Sequence, residues 1–377
     1  MLQFSKYQGL GNDFVLIEGR KGDLDPSLTC PDPAWVRRIC DRRFGVGADG
    51  LIFALPPEGE AELRMRIFNA DGSEAEMCGN GIRCLARFLA DSDGDAPGRS
   101  WTIETPAGLI VPVLQNDGQI RVDMGLPILD PGGVPTTLPT GPQGMPQGEL
   151  TVDGELLAVA AVGMGNPHVV VPVNDLGTIP FETWGSALEQ HPGFPAKTNV
   201  HFLQVHSAGS LEIRVWERGA GPTLACGTGA CATLVAAHLL GLSDAEAEVM
   251  LPGGPLRISW TDRGGSVFMT GPAESVFDGV LIPELVPAPT EKSPSQLAAT
   301  APMAETTNQG DDAEIPTLNC SRDCRDGCRQ PDQCLRAEAQ QQVQSLLDSM
   351  SLDTMIDLAA DSLEQRTRAR FSKGPGG

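Results

Sequence analysis

The chain has 377 residues, of which 41 % are hydrophobic and 20 % charged, and a formal net charge of -22. At roughly 100–200 residues per domain this length predicts two or three domains, and the composition excludes wholesale disorder. So acidic a surface repels phosphate backbones, which sets nucleic acid aside as a partner. The segment Met1–Arg20 lacks a basic n-region followed by an apolar h-region. No apolar run approaches the roughly 18 residues of a membrane-spanning helix. The expectation is therefore a cytoplasmic protein without a membrane partner. Its ten cysteines read as thiols, catalytic groups or metal ligands before they read as disulfides.

In chain order, the first motif is Gly9-Leu10-Gly11-Asn12-Asp13-Phe14. It precedes a Val/Ile strand rather than joining a strand to a helix, so it is not a dinucleotide loop. It returns as Gly163-Met164-Gly165-Asn166-Pro167-His168. A longer repeat relates residues 63–89 to 211–237 at a constant offset of 148. Each copy opens with period-2 alternation, Leu63, Met65 and Ile67 against Leu211, Ile213 and Val215. That pattern predicts a half-buried strand. A Gly-containing loop, a Cys-Gly pair and an apolar helix follow, with Cys78 matching Cys226. The helices expected over 79–91 and 227–241 are apolar on most sides and should be buried.

The duplication predicts an α+β fold of two pseudo-symmetric lobes. Each is expected as a curved, mostly antiparallel sheet around a central helix. The lobes are placed at 1–124, with 272–284 returning to the first, and at 125–271. Residues 285–317 have the Pro/Ala/Thr/Ser composition of a flexible linker. Residues 318–377 read as a small helical tail containing cysteines.

The duplicated Cys-Gly start carries chemistry. The first N–H groups of a helix have no intrahelical partner and bear partial positive charge. Such an end binds a carboxylate and lowers the pKa of a thiol placed there. Two such ends facing each other put one thiol on each side of a bound carboxylate. That arrangement suits inversion at carbon, with one thiolate removing the α-proton and the opposite thiol returning one.

The ordered motifs Gly9-x-Gly11-Asn12-Asp13-Phe14, Phe68-Asn69-Ala70-Asp71-Gly72-Ser73, Met77-Cys78-Gly79-Asn80-Gly81-Ile82-Arg83-Cys84, Gly165-Asn166-Pro167-His168, Thr198-Asn199-Val200, Trp216-Glu217-Arg218-Gly219 and Ala225-Cys226-Gly227-Thr228-Gly229 together resemble the diaminopimelate epimerase family. The resemblance covers about residues 1–284. It implies a cofactor-independent isomerase that converts LL-2,6-diaminopimelate to the meso form in lysine biosynthesis. It implies Cys78 and Cys226 as the acid–base pair. Gly79, Asn80, Gly227 and Thr228 would hold the carboxylate at the reacting carbon. Asn12, Asn69, Asn166, Asn199, Glu217 and Arg218 would hold the rest, with Arg218 on the distal carboxylate. His168 would shape the pocket near a thiol. No metal or cofactor is implied, the partner is the small-molecule substrate, and a homodimer is in keeping with the family. The pattern departs at Gly50, where many family members carry Gln.

The same residues admit two alternatives. A proline-type epimerase would share the fold but need no distal carboxylate clamp. A non-catalytic scaffold would not need paired thiols at open glycine-rich helix starts. Cys30, Cys40, Cys84 and Cys231 read as structural. His191, His201, His206 and His238 show no close metal spacing. In the tail, Cys320, Cys324, Cys328 and Cys334 depart from paired Cys-x2-Cys spacing, so redox-active or incidental thiols are favoured over a metal site.

Overall fold

The computed structural model describes residues 2–22, 24–282, 285 and 286. The expected tail, and the expected linker beyond Val286, lie outside the described residues. The first half contains β1 (Leu2–Gly9), β2 (Asn12–Glu18), α1 (Pro26–Thr29), α2 (Pro33–Cys40), β3 (Gly50–Leu55), β4 (Leu63–Asn69), β5 (Glu74–Ala75), α3 (Gly79–Asp93), β6 (Ile103–Thr105) and β7 (Gly108–Ile110). The chain continues through β8 (Val113–Leu114), β9 (Ile120–Asp123), β10 (Gln147–Val152), β11 (Glu155–Gly163), β12 (Pro167–Pro172), α4 (Phe181–Glu189) and β13 (Asn199–Ser207). It ends with β14 (Ser210–Glu217), β15 (Gly221–Thr223), α5 (Gly227–Leu239), β16 (Glu246–Leu251), β17 (Gly254–Ser259), β18 (Phe268–Gly271) and β19 (Glu274–Leu281).

Two mixed sheets result. The first has the order β19-β1-β2-β3-β4-β6-β7, with β5 beside β4. The second runs β10-β11-β12-β13-β14-β16-β17-β18-β9-β8, with β15 beside β14. The run β1-β2-β3-β4-β6-β7 repeats as β11-β12-β13-β14-β16-β17. Even the two parallel pairings recur: β2 with β3 and β4 with β6 match β12 with β13 and β14 with β16. The other pairings are antiparallel. The sheets exchange near Val113 rather than at 124: β8 and β9 hydrogen-bond in the second sheet, while β19 pairs with β1 in the first.

Alternation decides which faces are buried. On β2 and β3, Leu16, Ile52 and Ala54 point to the core around α3. Val15, Ile17, Leu51 and Phe53 point the other way, against Trp35, Val36 and Ile39 of α2. The second sheet repeats this arrangement. Val170, Leu203 and Val215 face the α5 side, while Val169, Val171 and Phe202 pack with Phe181 and Leu188 of α4. Both sheets are thus covered on two faces, which is why β3 is buried along its whole length. The cores around α3 and α5 merge into one cluster.

The helices differ more than their sequences suggest. α5 is buried from Gly229 to Ala237. α3 turns a polar face outward in its later turns, where Arg87 and Asp91 form an (i, i+4) ion pair at 3.1 Å. It ends at Gly94, whose φ of 69° is left-handed and suits glycine. Among the described residues no helix is long and apolar enough to cross a membrane.

Leu234, fully buried in α5, should lose about 2–5 kcal/mol of stability on truncation to Ala. Leu109, 58 % exposed on β7, should change stability by less than about 0.5 kcal/mol. Equilibrium urea unfolding of the two variants checks the contrast.

Candidate active site

The two repeat cysteines stand at the same structural place. Cys78 is the N-cap of α3 and Cys226 the N-cap of α5, both in extended conformation. Each carbonyl accepts the first helical bond, from Ile82 N (2.9 Å) and Ala230 N (3.0 Å). The Cys78 sulfur accepts from Gly81 N at 3.4 Å, and the Cys226 sulfur lies 3.7 Å from Thr228 Oγ1. Both thiols are free.

The helix starts meet end to end. A Cβ added at Gly79 would lie only 3.9 Å from Gly227 Cα. Met269 fills the seam, since Cβ atoms at Gly79 and Gly227 would meet its Cε at 3.3 Å and its Sδ at 2.9 Å. These glycines are required by close approach rather than by backbone twist. Gly229 makes room for an imidazole in the same way, because a Cβ there would sit 2.1 Å from His201 Cε1.

Between the lobes lies a cleft of about 870 Å³. Its wall includes Asn12, Asn69, Cys78, Gly79, Asn80, Asn166, Glu217, Arg218, Cys226, Gly227 and Thr228. Asn199 is not in the wall. It is 4 % exposed, and its amide is consumed: Nδ2 donates to Pro167 O (2.8 Å) and Oδ1 accepts from Arg218 N (3.0 Å). It stands behind Arg218 and holds its backbone.

The polar groups are individually oriented. Asn80 Nδ2 donates to Asn12 Oδ1 (3.1 Å) and Ala225 O (3.3 Å), bridging the lobes, while its buried Oδ1 has no partner. Asn12 Nδ2 donates to Asp49 Oδ2 at 2.8 Å. Asn69 Nδ2 donates to Ser73 Oγ at 3.0 Å. The Arg218 guanidinium donates to Ala196 O (3.1 Å) and has no carboxylate partner among the described residues. Glu217 accepts from Thr223 Oγ1 at 2.5 Å. Burial pushes Glu217 up, against hydrogen bonds from Thr223 and the Cys226 thiol. Burial also raises both N-cap thiols, Cys226 well above its usual value. Amides of Gly81 and Asn80 pull Cys78 back, as Thr228 and the Gly229 amide do Cys226.

Arg42, Asp49, Glu76, Met164 and Leu224 also line the cleft, and motif reading did not single them out. Arg42 bonds Asp13 (2.6 Å) and Asp49 (2.7 Å). Burial alone would raise Asp13, but hydrogen bonds from Arg42 and Lys6 bring it down to about 2. Gly50 pairs with Phe14 and Asn69 in the first sheet. A Cβ there would lie 2.7 Å from Phe68 O, so this backbone has no place for a larger side chain.

His201 was also missed. Parallel pairing of β12 and β13 brings it beside His168, with His168 Nδ1 2.9 Å from His201 Nε2 and His168 Nε2 2.7 Å from Asn166 Oδ1. Histidine, histidine and Cys226 offer donor atoms within 4.8 Å of one another, a closeness that linear spacing did not suggest. His168 Nε2 donates to Asn166 Oδ1, so His168 Nδ1 accepts from His201 Nε2. His201 Nδ1 has no partner. Burial keeps both rings neutral by lowering their pKa values, His201 to about 3.

The unfolded chain binds these protons near pH 6.5, so stability should be complete above that pH. It should fall as pH drops through the window from 6.5 to about 3, by about 1.4 kcal/mol per pH unit for each uncompensated ring. Urea midpoints between pH 7 and 4.5 should show this slope. His201→Asn should flatten it.

Comparison with known proteins agrees with this geometry. The family model described as diaminopimelate epimerase matches residues 4–129 and 160–276. A diaminopimelate epimerase from Prochlorococcus marinus (strain MIT 9313) is 69 % identical over 294 residues, covering 78 % of this chain and 97 % of the relative. One from Acaryochloris marina (strain MBIC 11017) is 55 % identical over 281 residues, covering 74 % and 98 %. Among solved structures, a hydroxyproline epimerase from Agrobacterium vitis aligns with TM-score 0.53 at 16 % identity, covering 74 % of this chain and 91 % of that one. A PhzF-family phenazine biosynthesis protein from Bacillus anthracis aligns with TM-score 0.52 at 20 % identity, covering 74 % and 99 %. These two share the fold. With the family model across most of the two-sheet body and relatives at this identity, the chain belongs to the diaminopimelate epimerase family, a family of isomerases.

Proposed function

We propose that the protein converts LL-2,6-diaminopimelate to meso-diaminopimelate in lysine biosynthesis, in the cytoplasm, with Cys78 and Cys226 as its acid–base pair. The observation that carries this reading is the pair of cysteine N-caps on helix starts that meet at Gly79 and Gly227. A carboxylate at that seam receives amides from both helices. One thiolate takes the proton as the Cα–H bond breaks. The bonding pair moves into the carboxylate, whose growing charge faces two positive helix ends. The opposite S–H then gives its proton to the other face of the carbon. Both proton transfers are made by side chains of this chain, so the reaction requires no cofactor.

The rest of the wall suits a long zwitterion. The Arg218 guanidinium is the receptor for the distal carboxylate, positioned through its backbone by Asn199. Asn80 Oδ1, buried and unpartnered, is an acceptor for an ammonium group. Glu217, which lines the cleft beside Cys226, is an acceptor for an ammonium group.

Incubation of LL-2,6-diaminopimelate with the reduced enzyme in heavy water should remove the α-proton signal and produce the meso isomer, read by proton NMR. Cys78→Ala and Cys226→Ala should each lower turnover by at least about 10³-fold. Unchanged activity in either variant would overturn the two-thiol reading. Arg218→Leu should raise KM and lower kcat/KM by about 10²-fold or more, consistent with the loss of a charged hydrogen-bond partner. Absence of exchange with free thiols would move the reading to a one-ended amino acid.

A further inference from the structure

Arg83 is fully buried, yet no carboxylate pairs with it among the described residues. Its guanidinium donates to Gly79 O (3.2 Å), Pro272 O (3.2 Å) and Met269 Sδ (3.5 Å), and Nη2 has no partner. All three acceptors are neutral. Two glycines make its space: a Cβ at Gly9 would lie 3.1 Å from Nη2, and one at Gly271 3.4 Å from Nε. A guanidinium remains protonated in proteins, and a buried charge without a counter-ion is costly. The fold keeps the cation regardless, one turn from the N-cap of α3 and against the methionine that fills the seam between the helix starts.

We infer that Arg83 is a positioning residue for the reaction: it is the buried counter-charge that stabilises the thiolate of Cys78. Burial lowers its pKa, and its titratable neighbours, the thiols of Cys84 and Cys78 and of Cys231 on α5, act against that shift. Gly9 of β1 and Gly271 of β18 face it without side chains. Burial raises Cys78, the amides of Gly81 and Asn80 favour its ionisation, Glu217 of β14 opposes it, and Arg83, bonded to the carbonyl of the adjacent Gly79, adds a favourable charge. Cys226 on α5 lies across the seam. Removing the α-proton requires an anionic sulfur in a site where burial disfavours that anion. A fixed cation beneath the helix start lowers this cost without touching substrate, which leaves the cleft face free for the carboxylate. The inference rests on the two-thiol reading but concerns the ionisation of Cys78, which is measurable without turnover.

The experiment is the pH dependence of Cys78 alkylation by iodoacetamide, followed by mass mapping of the Cys78 peptide in the full chain carrying Cys226→Ala. Arg83→Gln should raise the apparent pKa of Cys78 by about one unit, which is about tenfold slower labelling at pH 7.5. Arg83→Lys, which keeps the charge, should stay within about 0.3 unit of the parent. With both thiols present, Arg83→Gln should move the acid limb of kcat/KM upward by the same amount and leave the high-pH plateau within about threefold. A purely structural role would lower the rate at every pH and leave the labelling profile in place. Gly9→Ala is the second variant: it retains Arg83 but crowds Nη2, and should shift Cys78 in the same direction by a smaller amount. An unchanged labelling profile in a folded Arg83→Gln chain, or in Gly9→Ala should Arg83→Gln not fold, overturns the inference. A shifted profile without hydrogen exchange on diaminopimelate would sink the epimerase reading and leave the role of Arg83 standing.

Discussion

Two positive helix ends are pressed together at Gly79 and Gly227, and much of the molecule serves to keep them there. Each end carries roughly half an elementary charge, so the pair repels itself until an anion arrives. The backbones of α3 and α5 do not hold this arrangement by themselves. It is held by two covered sheets whose inner faces grip the helices, by Met269 in the seam, and by Asn80 reaching across to Ala225 O. A side chain at either glycine would separate the ends. The packing of the whole body is therefore directed at an electrostatically unfavourable contact that an anion would relieve.

The two lobes repeat in backbone more faithfully than in polar chemistry. Strand order, parallel pairings and helix caps recur. The side chains around them do not. The first lobe surrounds Asn12 with an ion network of Asp13, Arg42, Asp49 and Lys6. The second lobe places Pro167 where Asp13 stands and builds a neutral imidazole pair instead. Burial lowers both histidines and raises Glu217, so the second lobe holds its site groups nearer neutrality. A symmetric scaffold thus carries an asymmetric site.

Much of this was legible in the residues, for identifiable reasons. The duplicated Cys-Gly start was readable because capping and close approach are local and restrict the residue type. The strands at 63–69 and 210–217 were readable because one face alternates with the other. What escaped depends on distant pairing. His201 becomes important only because β13 lies parallel to β12. Asn199 carries the family motif, yet its amide bonds Pro167 O and Arg218 N, and no local signal distinguishes an amide in the wall from one behind it. Arg42 and Asp49 come to Asn12 only because β3 pairs in parallel with β2. The sheet boundary was misplaced because Gly and Pro near Met124 mark a turn, while membership of a sheet depends on which strand edge is open.

The strand exchange bears on how the chain acquires its structure during synthesis. β1 closes its sheet edge with β19, so Leu2 and Leu281 are register partners across nearly the whole body. Contacts so distant in sequence incur a large loop-closure entropy before they return any stabilisation, and they slow folding. A ribosome extends a chain at about 5–20 residues per second. The first sheet must therefore wait, with one side of β1 unpaired, until the end of the second half has emerged. The site helix α3 packs on that unfinished sheet throughout, and on β9, which belongs to the other one. Neither half can be completed first, so the two thiols come into register only when the entire body has been made.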